Sequence, residues 1–312
     1  MRLQRGVPVA ASFAVGALTA VQARVNGQLA VELDNGLQAA VWSFGSGLAI
    51  LVVLAVTVPS IRAGVARIPR AVRSGELAWW QAMGGVLGGF FVGVQTAAVP
   101  ALGVAAFTVA VVAGQSSSSL FVDRIGLGPA GKQAITRPRV ASAVLAVIAV
   151  TVAVSSRLAS GGLAVLPLVL AFMAGLAIAF QQAINGRAAR AAQNPMSATF
   201  YNFLFGTVAL GMALGIAVAA TGTAPTALPP GPWWLYTGGL IGVVFIGIAA
   251  WAVPIIGVLL FAVVTIAGQL SGALVLDVAA PTAGTDLTIN LVVGVFLAFV
   301  AVALATRGRR TT

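Results

Sequence analysis

Gln22 and Asn26 stand four residues apart in AVQARVNGQLA (residues 20–30), and Gln181 and Asn185 repeat that spacing in AFQQAINGRAA (residues 179–189). Residues at i and i+4 share one helical face, so each pair presents two amides side by side. An amide donates and accepts hydrogen bonds without carrying charge. That suits a gate touched by a neutral or weakly polar solute. It also suits plain helix-end chemistry, because Gly27 and Gly186 follow directly and stand where a left-handed residue closes a last turn.

Gln115 and Gln269 lie deeper, inside long apolar runs. An amide in hydrocarbon must find partners, so each either bonds a neighbouring helix or faces a solute cavity. Ser116, Ser117, Ser118, Ser119 and Ser271 are small and can bond the preceding turn, which reads as packing. Gln95 is a weaker candidate, because Ala249 holds its equivalent position. Trp42, Ser43 and Phe44 correspond to Tyr201, Asn202 and Phe203, an aromatic wall beside a polar residue or ordinary bundle core. Of the six acids, Asp123 and Asp277 end apolar runs at equivalent positions, while Glu32, Asp34, Glu76 and Asp286 fall in loops. Asp123 and Asp277 are therefore the candidates for carrying a proton, and Arg124 is a ready ion-pair partner for the first. With no His and no Cys, thiolate, imidazole and the usual zinc or haem chemistries are excluded, and no cofactor or metal is called for.

The elements that must position these residues are membrane spans. The chain has 17 Lys+Arg and 6 Asp+Glu in 312 residues, 60% hydrophobic residues and a mean hydropathy of +1.05. Runs of about 20 apolar residues, enough to cross a bilayer as helix, recur throughout. They predict an all-α membrane protein of ten transmembrane helices: 7–24, 37–58, 78–98, 101–121, 140–156, 163–183, 197–220, 233–252, 255–276 and 288–306. The breaks between the third and fourth spans and between the eighth and ninth rest on Val99-Pro100 and Val253-Pro254, since proline disfavours helix in the residue before it. The first run resembles a signal peptide, but its internal copy near 169–189 argues for a retained span. The net charge of +11 is no nucleic-acid signal, because the basic residues sit in short clusters between spans.

Those clusters set an orientation. Arg2, Arg5, Arg62, Arg67, Arg70, Arg73, Arg124, Lys132, Arg137, Arg139, Arg187, Arg190, Arg307, Arg309 and Arg310 fall on one side of a ten-span arrangement, and Arg24 and Arg157 on the other. The positive-inside bias then places both termini in the cytoplasm and the chain in the plasma membrane.

The chain also repeats itself. At an offset of 159, residues 13–47 match 172–206 at 11 of 35 positions; at an offset of 154, residues 79–123 match 233–277 at 20 of 45. Paired Trp, Pro, Gln, Asn and Asp fall in order, which shared low complexity does not explain. Residues 1–158 and 159–312 are thus two five-helix repeats. Five is odd, so the second enters the bilayer from the opposite side, as in inverted-repeat transporters. Gly85, Gly89, Gly93, Gly84, Gly88, Gly238 and Gly242 form small-residue ridges for close helix contact. Trp79-Trp80 and Trp233-Trp234 read as an aromatic belt.

The Q-x-x-x-N-G of the first and sixth spans, with the G-Q-x-S-x-x-L-x-x-D of the fourth and ninth, resembles the YdcZ-type family of inner-membrane exporters in the drug/metabolite transporter superfamily. The resemblance covers nearly the whole chain, once per half. It implies a ten-helix inverted-repeat fold and export of small molecules. Many members are single five-helix units that must pair; here two are fused, so a monomer suffices and a homodimer stays open. The small multidrug-resistance relatives couple to protons through a glutamate in the first helix, and no carboxylate occupies that span here.

Together these observations point to a secondary transporter working by alternating access on a small-molecule substrate in a lipid environment. Gln115, Gln269, Trp42, Tyr201 and Asn202 are candidate substrate contacts. Gln22, Asn26, Gln181 and Asn185 are candidate gates. A translocase of a lipid-linked precursor and a non-transporting structural membrane protein are the alternatives. An intramembrane enzyme lacks plausible catalysts.

Overall fold

Eleven α-helices make up the described part of the chain: α1 (Leu3–Glu32), α2 (Gly36–Thr57), α3 (Pro59–Arg73), α4 (Gly85–Leu102), α5 (Val104–Ile125), α6 (Arg137–Ala159), α7 (Val165–Ala192), α8 (Pro195–Thr221), α9 (Gly238–Ile256), α10 (Val258–Ala279) and α11 (Ile289–Arg307). The computed structural model describes residues 3–128, 131–132, 134–159, 164–256, 258–281, 285 and 287–307. Short 3-10 turns at Trp79–Met83 and Trp233–Tyr236 precede α4 and α9, and no strand occurs among the described residues. Seven helical segments among those residues are long and apolar enough to cross a membrane: Gly6–Glu32, Gly36–Thr57, Trp79–Leu102, Val104–Ile125, Arg137–Ser156, Val165–Ala192 and Pro195–Thr221. Val264–Ala279 and Ile289–Leu304 are shorter apolar helices.

Local chemistry explains the boundaries. Asn35 caps α2 by accepting from the Gln38 amide at 3.0 Å. Its equivalent Asn194 caps α8 by accepting from Met196 at 2.9 Å and Ser197 at 3.2 Å, with Pro195 at the first helical position. The residue before each cap, Asp34 or Gln193, holds a left-handed conformation at φ 48° and 53°. The same tight turn is therefore built twice from equivalent residues.

Four expectations are corrected. Residues 59–73, which the ten-span reading leaves as loop between the second and third spans, form α3. Pro59 starts it, and Ile61, Gly64, Ile68 and Ala71 supply a buried stripe at helical spacing. Pro100 lies inside α4 instead of ending it. The break comes at Gly103, whose φ of 78° only glycine adopts easily. Gly27 and Gly186 are not helix caps either, since α1 runs on to Glu32 and α7 to Ala192. Glu32 accordingly closes α1 and does not lie in a loop.

The helices pack by one set of contacts made twice, with the halves exchanged. A methyl on Gly16 would strike the Thr265 carbonyl of α10, and one on Gly175 the equivalent Val111 carbonyl of α5. Gly268 and Gly114 meet the Phe13 and Phe172 carbonyls in the same exchanged way. These glycines let α1 lie backbone to backbone on α10, and α7 on α5. Phe203 fills the space beside Gly47 on α2, and Phe44 the space beside Gly206 on α8. The two rings meet at the centre, 5.0 Å apart. α6 packs on its counterpart α11, where the Ser142 hydroxyl donates to the Ala301 carbonyl at 2.7 Å.

Candidate functional site

Two amide clusters flank that central pair of rings. In the first, Gln22 on α1 donates through Nε2 to the Gly238 carbonyl at 2.7 Å. Asn26 donates through Nδ2 to Oε1 of Gln95 on α4 at 2.9 Å. Gln22 is 6% exposed, Asn26 1% and Gln95 0%. Close approach is possible because α9 presents glycine here: a methyl on Gly238 would collide with the Asn26 amide, and one on Gly242 would come within 3.0 Å of Gln22 Nε2.

The second cluster repeats this design. A methyl on Gly84 would collide with Asn185 Oδ1, and one on Gly88 with Gln181 Nε2. Here Gln181 on α7 donates to Oδ1 of Asn202 on α8 at 3.0 Å. The change of partner follows from the sequence: the first half has Ser43 where the second has Asn202, and the longer amide reaches the glutamine. A cavity of about 260 Å³ lies near the end of α7, lined by Glu76, Leu77, Gly128, Gly131, Arg187 and Arg190, with Ala191. Arg187 is fixed there by donating to the Leu127 carbonyl at 2.6 Å and the Gly126 carbonyl at 2.9 Å.

Gln115 on α5 donates to Oε1 of Gln182 on α7 at 3.1 Å, a pair that stays exposed. Gln269 on α10 is half-buried, and its backbone amide lies against Gly16 of α1. Its equivalent of Gln182 is Ala23, so this amide pair belongs to one half alone.

Trp42 and Tyr201 stand away from the amides. Trp42 donates through Nε1 to the Tyr236 carbonyl at 3.2 Å and meets the Tyr236 ring edge-on at 5.9 Å. The Tyr201 hydroxyl donates to the Val65 carbonyl of α3 at 3.2 Å, and its ring stacks on Phe205 at 6.2 Å. Each braces a short element outside the helix bundle.

The two aspartates do different work. Asp277, 1% exposed, accepts from the Val104 amide through Oδ1 at 3.0 Å and from Ala105 through Oδ2 at 2.7 Å. It thereby satisfies two orphan donors at the start of α5 and sits on the positive end of its dipole. Asp123 forms an ion pair with Arg139 of α6, not with the neighbouring Arg124.

Sequence reasoning gave Gln95 too little weight and did not single out Gln182. Both lack a counterpart in the other half, so the repeat, which exposed the rest, was blind to them. The available signal was burial: an amide near the middle of an apolar helix has to bond something. Gln95 still has a buried Nε2 with no partner among the described residues.

A solved crystal structure shares the fold over 99% of this chain and 99% of its own, at 20% identity and a TM-score of 0.56. No curated protein matches the chain. The profile of the family described as "Putative inner membrane exporter, YdcZ" matches residues 7–152 and 166–304, once on each half. The doubled amide-on-glycine contacts and the doubled profile describe the same two units, and the chain belongs to the YdcZ family of inner-membrane exporters, a transporter of the drug/metabolite type.

Proposed function

We propose that this multi-pass inner-membrane transporter exports a small, neutral or weakly polar metabolite by alternating access between two inverted five-helix halves, residues 1–158 and 159–312. On this reading the chain crosses the bilayer ten times with both termini cytoplasmic. Gln22 and Asn26 form the outer gate, and Gln181 and Asn185, joined by Asn202, the inner one. Gln115 and Gln269 offer amides to the substrate, with Gln182 beside the first. Trp42 and Tyr201 form walls at the two ends of the path, the first by holding the Trp233–Tyr236 turn and the second by holding α3. If protons drive the cycle, Asp123 and Asp277 carry them. A single fused chain suffices as the working unit.

One observation carries the reading: the amide-on-glycine contact of Gln22 and Asn26 with Gly238 and Gly242 recurs as Gln181 and Asn185 with Gly84 and Gly88. Each contact joins one half to the other, and such a joint can part at one end while it stays closed at the other. The groups at these two joints are amides, which favours uncharged cargo over ions.

The chain has no cysteine, so single-cysteine labelling tests the arrangement directly. A membrane-impermeant maleimide should reach Gln22→Cys from the periplasmic face and Gln181→Cys from the cytoplasmic face. Labelling of both from one face would overturn the inverted arrangement. Comparison of metabolites exported by a deletion strain and an overexpressor identifies the cargo. Transport of that cargo unchanged in both Gln115→Ala and Gln269→Ala removes those residues from the site.

A further inference from the structure

The two halves differ in the link that follows their second helix. In the second half, residues 222–232 (GTAPTALPPGP) are irregular and carry no charge. In the first half the link is α3, with Arg62, Arg67, Arg70 and Arg73 in 15 residues and no acid. The face of α3 holding Ile61, Gly64, Ile68 and Ala71 is buried. It is tied down by the Ser197 hydroxyl, which donates to the Ile61 carbonyl at 2.9 Å, and by Tyr201 on Val65. Arg67 adds a bond to the Ala192 carbonyl at 3.2 Å.

The opposite face is held less, with Arg62 alone making a long bond to the Val56 carbonyl at 3.4 Å. At about 100° per residue, Arg62, Arg70 and Arg73 fall within roughly 80° of one another, on the side away from the buried stripe. All three are exposed, and none has a carboxylate partner among the described residues. The flanking residues place this face at a membrane boundary. Just before α3, α2 exposes Val52, Val53 and Val56, and just after it Trp79 is 68% exposed and Trp80 41%. Exposed valines suit hydrocarbon, and exposed tryptophans suit the headgroup level. A row of exposed guanidinium forks without carboxylate partners at that depth matches phosphate in charge and shape.

We propose that the arginine face of α3 is a docking surface for anionic phospholipid headgroups. The contact needs no transport and stands or falls separately from the exporter reading. Native mass spectrometry of the purified full chain in detergent tests it, with phosphatidylglycerol, phosphatidylcholine and inorganic phosphate as probes. Wild type should retain phosphatidylglycerol over phosphatidylcholine, and the R62Q/R70Q/R73Q variant should bind it at least about tenfold more weakly, within what three basic groups supply at an anionic surface. The R124Q/K132Q/R137Q variant, with the same loss of charge, should bind as wild type does. Equal retention of the two lipids by wild type overturns the proposal, as does undiminished phosphatidylglycerol binding by the α3 variant or an equal loss in the control. Displacement of the lipid by millimolar phosphate would assign the surface to free anions instead. Should the α3 variant lose its helical circular dichroism, the wild type decides: binding that does not weaken between 50 and 500 mM salt overturns the assignment.

Discussion

Asn26 donates to Gln95 across α1 and α4 at 2.9 Å, whereas the position equivalent to Gln95 in the second half is Ala249. The two amide clusters are thus alike in their glycine contacts and unlike in their hydrogen bonds, since Gln22 donates to the Gly238 carbonyl and Gln181 to Asn202. Interhelical bonds of this kind contribute about 0.6–2 kcal/mol in a membrane, enough to bias a two-state equilibrium severalfold.

Gln95→Ala should therefore loosen the cluster around Gln22 and Asn26. The expected outcome is an increase of about threefold to tenfold in the rate of maleimide labelling at a single cysteine placed at Ser43. Gln95→Glu, which keeps the acceptor for Asn26, should raise that rate less.

Glycine contacts make a paired prediction. Gly114→Ala and Gly268→Ala push a methyl into equivalent carbonyls, those of Phe172 and Phe13. Each should lower stability by about 1–3 kcal/mol through overpacking, and thermal unfolding midpoints in detergent should fall by similar amounts. Gly45→Ala and Gly211→Ala meet nothing within 4 Å and should hold or raise the midpoint through helix propensity.

These doubled contacts are also why so much could be read from the sequence. Duplication marked Gln22, Asn26, Phe44 and their counterparts as equivalent positions, and the structure sets each equivalent pair against equivalent glycines of the other half. Whatever duplication did not mark was missed. Gln95 and Gln182 have alanine counterparts. The helix at 59–73 was hidden because its arginines outweigh its buried stripe of small and branched residues. Gly27 misled for another reason. A glycine after an amide looks like a cap, but here it admits Val99 and Pro100 of α4 against the backbone of α1, a contact that sequence spacing cannot reveal.

The aspartates should separate in their response. Asp277→Asn replaces one of two acceptors facing the Val104 and Ala105 amides with a donor, at a cost of about 1–3 kcal/mol. Asp123→Asn removes the counter-charge of Arg139, which is 6% exposed, and should cost about 3–5 kcal/mol. The double variant Asp123→Asn with Arg139→Gln should recover part of that loss. Thermal unfolding of the three proteins provides the check.

Phe44→Ala and Phe203→Ala should each cost about 3–5 kcal/mol, since both rings are 5% exposed and fill gaps left by glycine. A Phe44→Leu variant should lose less than half as much by the same measurement.

A chain assembled from two perfect copies would have two ends that nothing distinguishes. Here the likenesses gather at the helix contacts between the halves, while α3 with its arginines has no twin. The shared residues build the joint between the halves, and the unshared helix makes the two ends of that joint unlike.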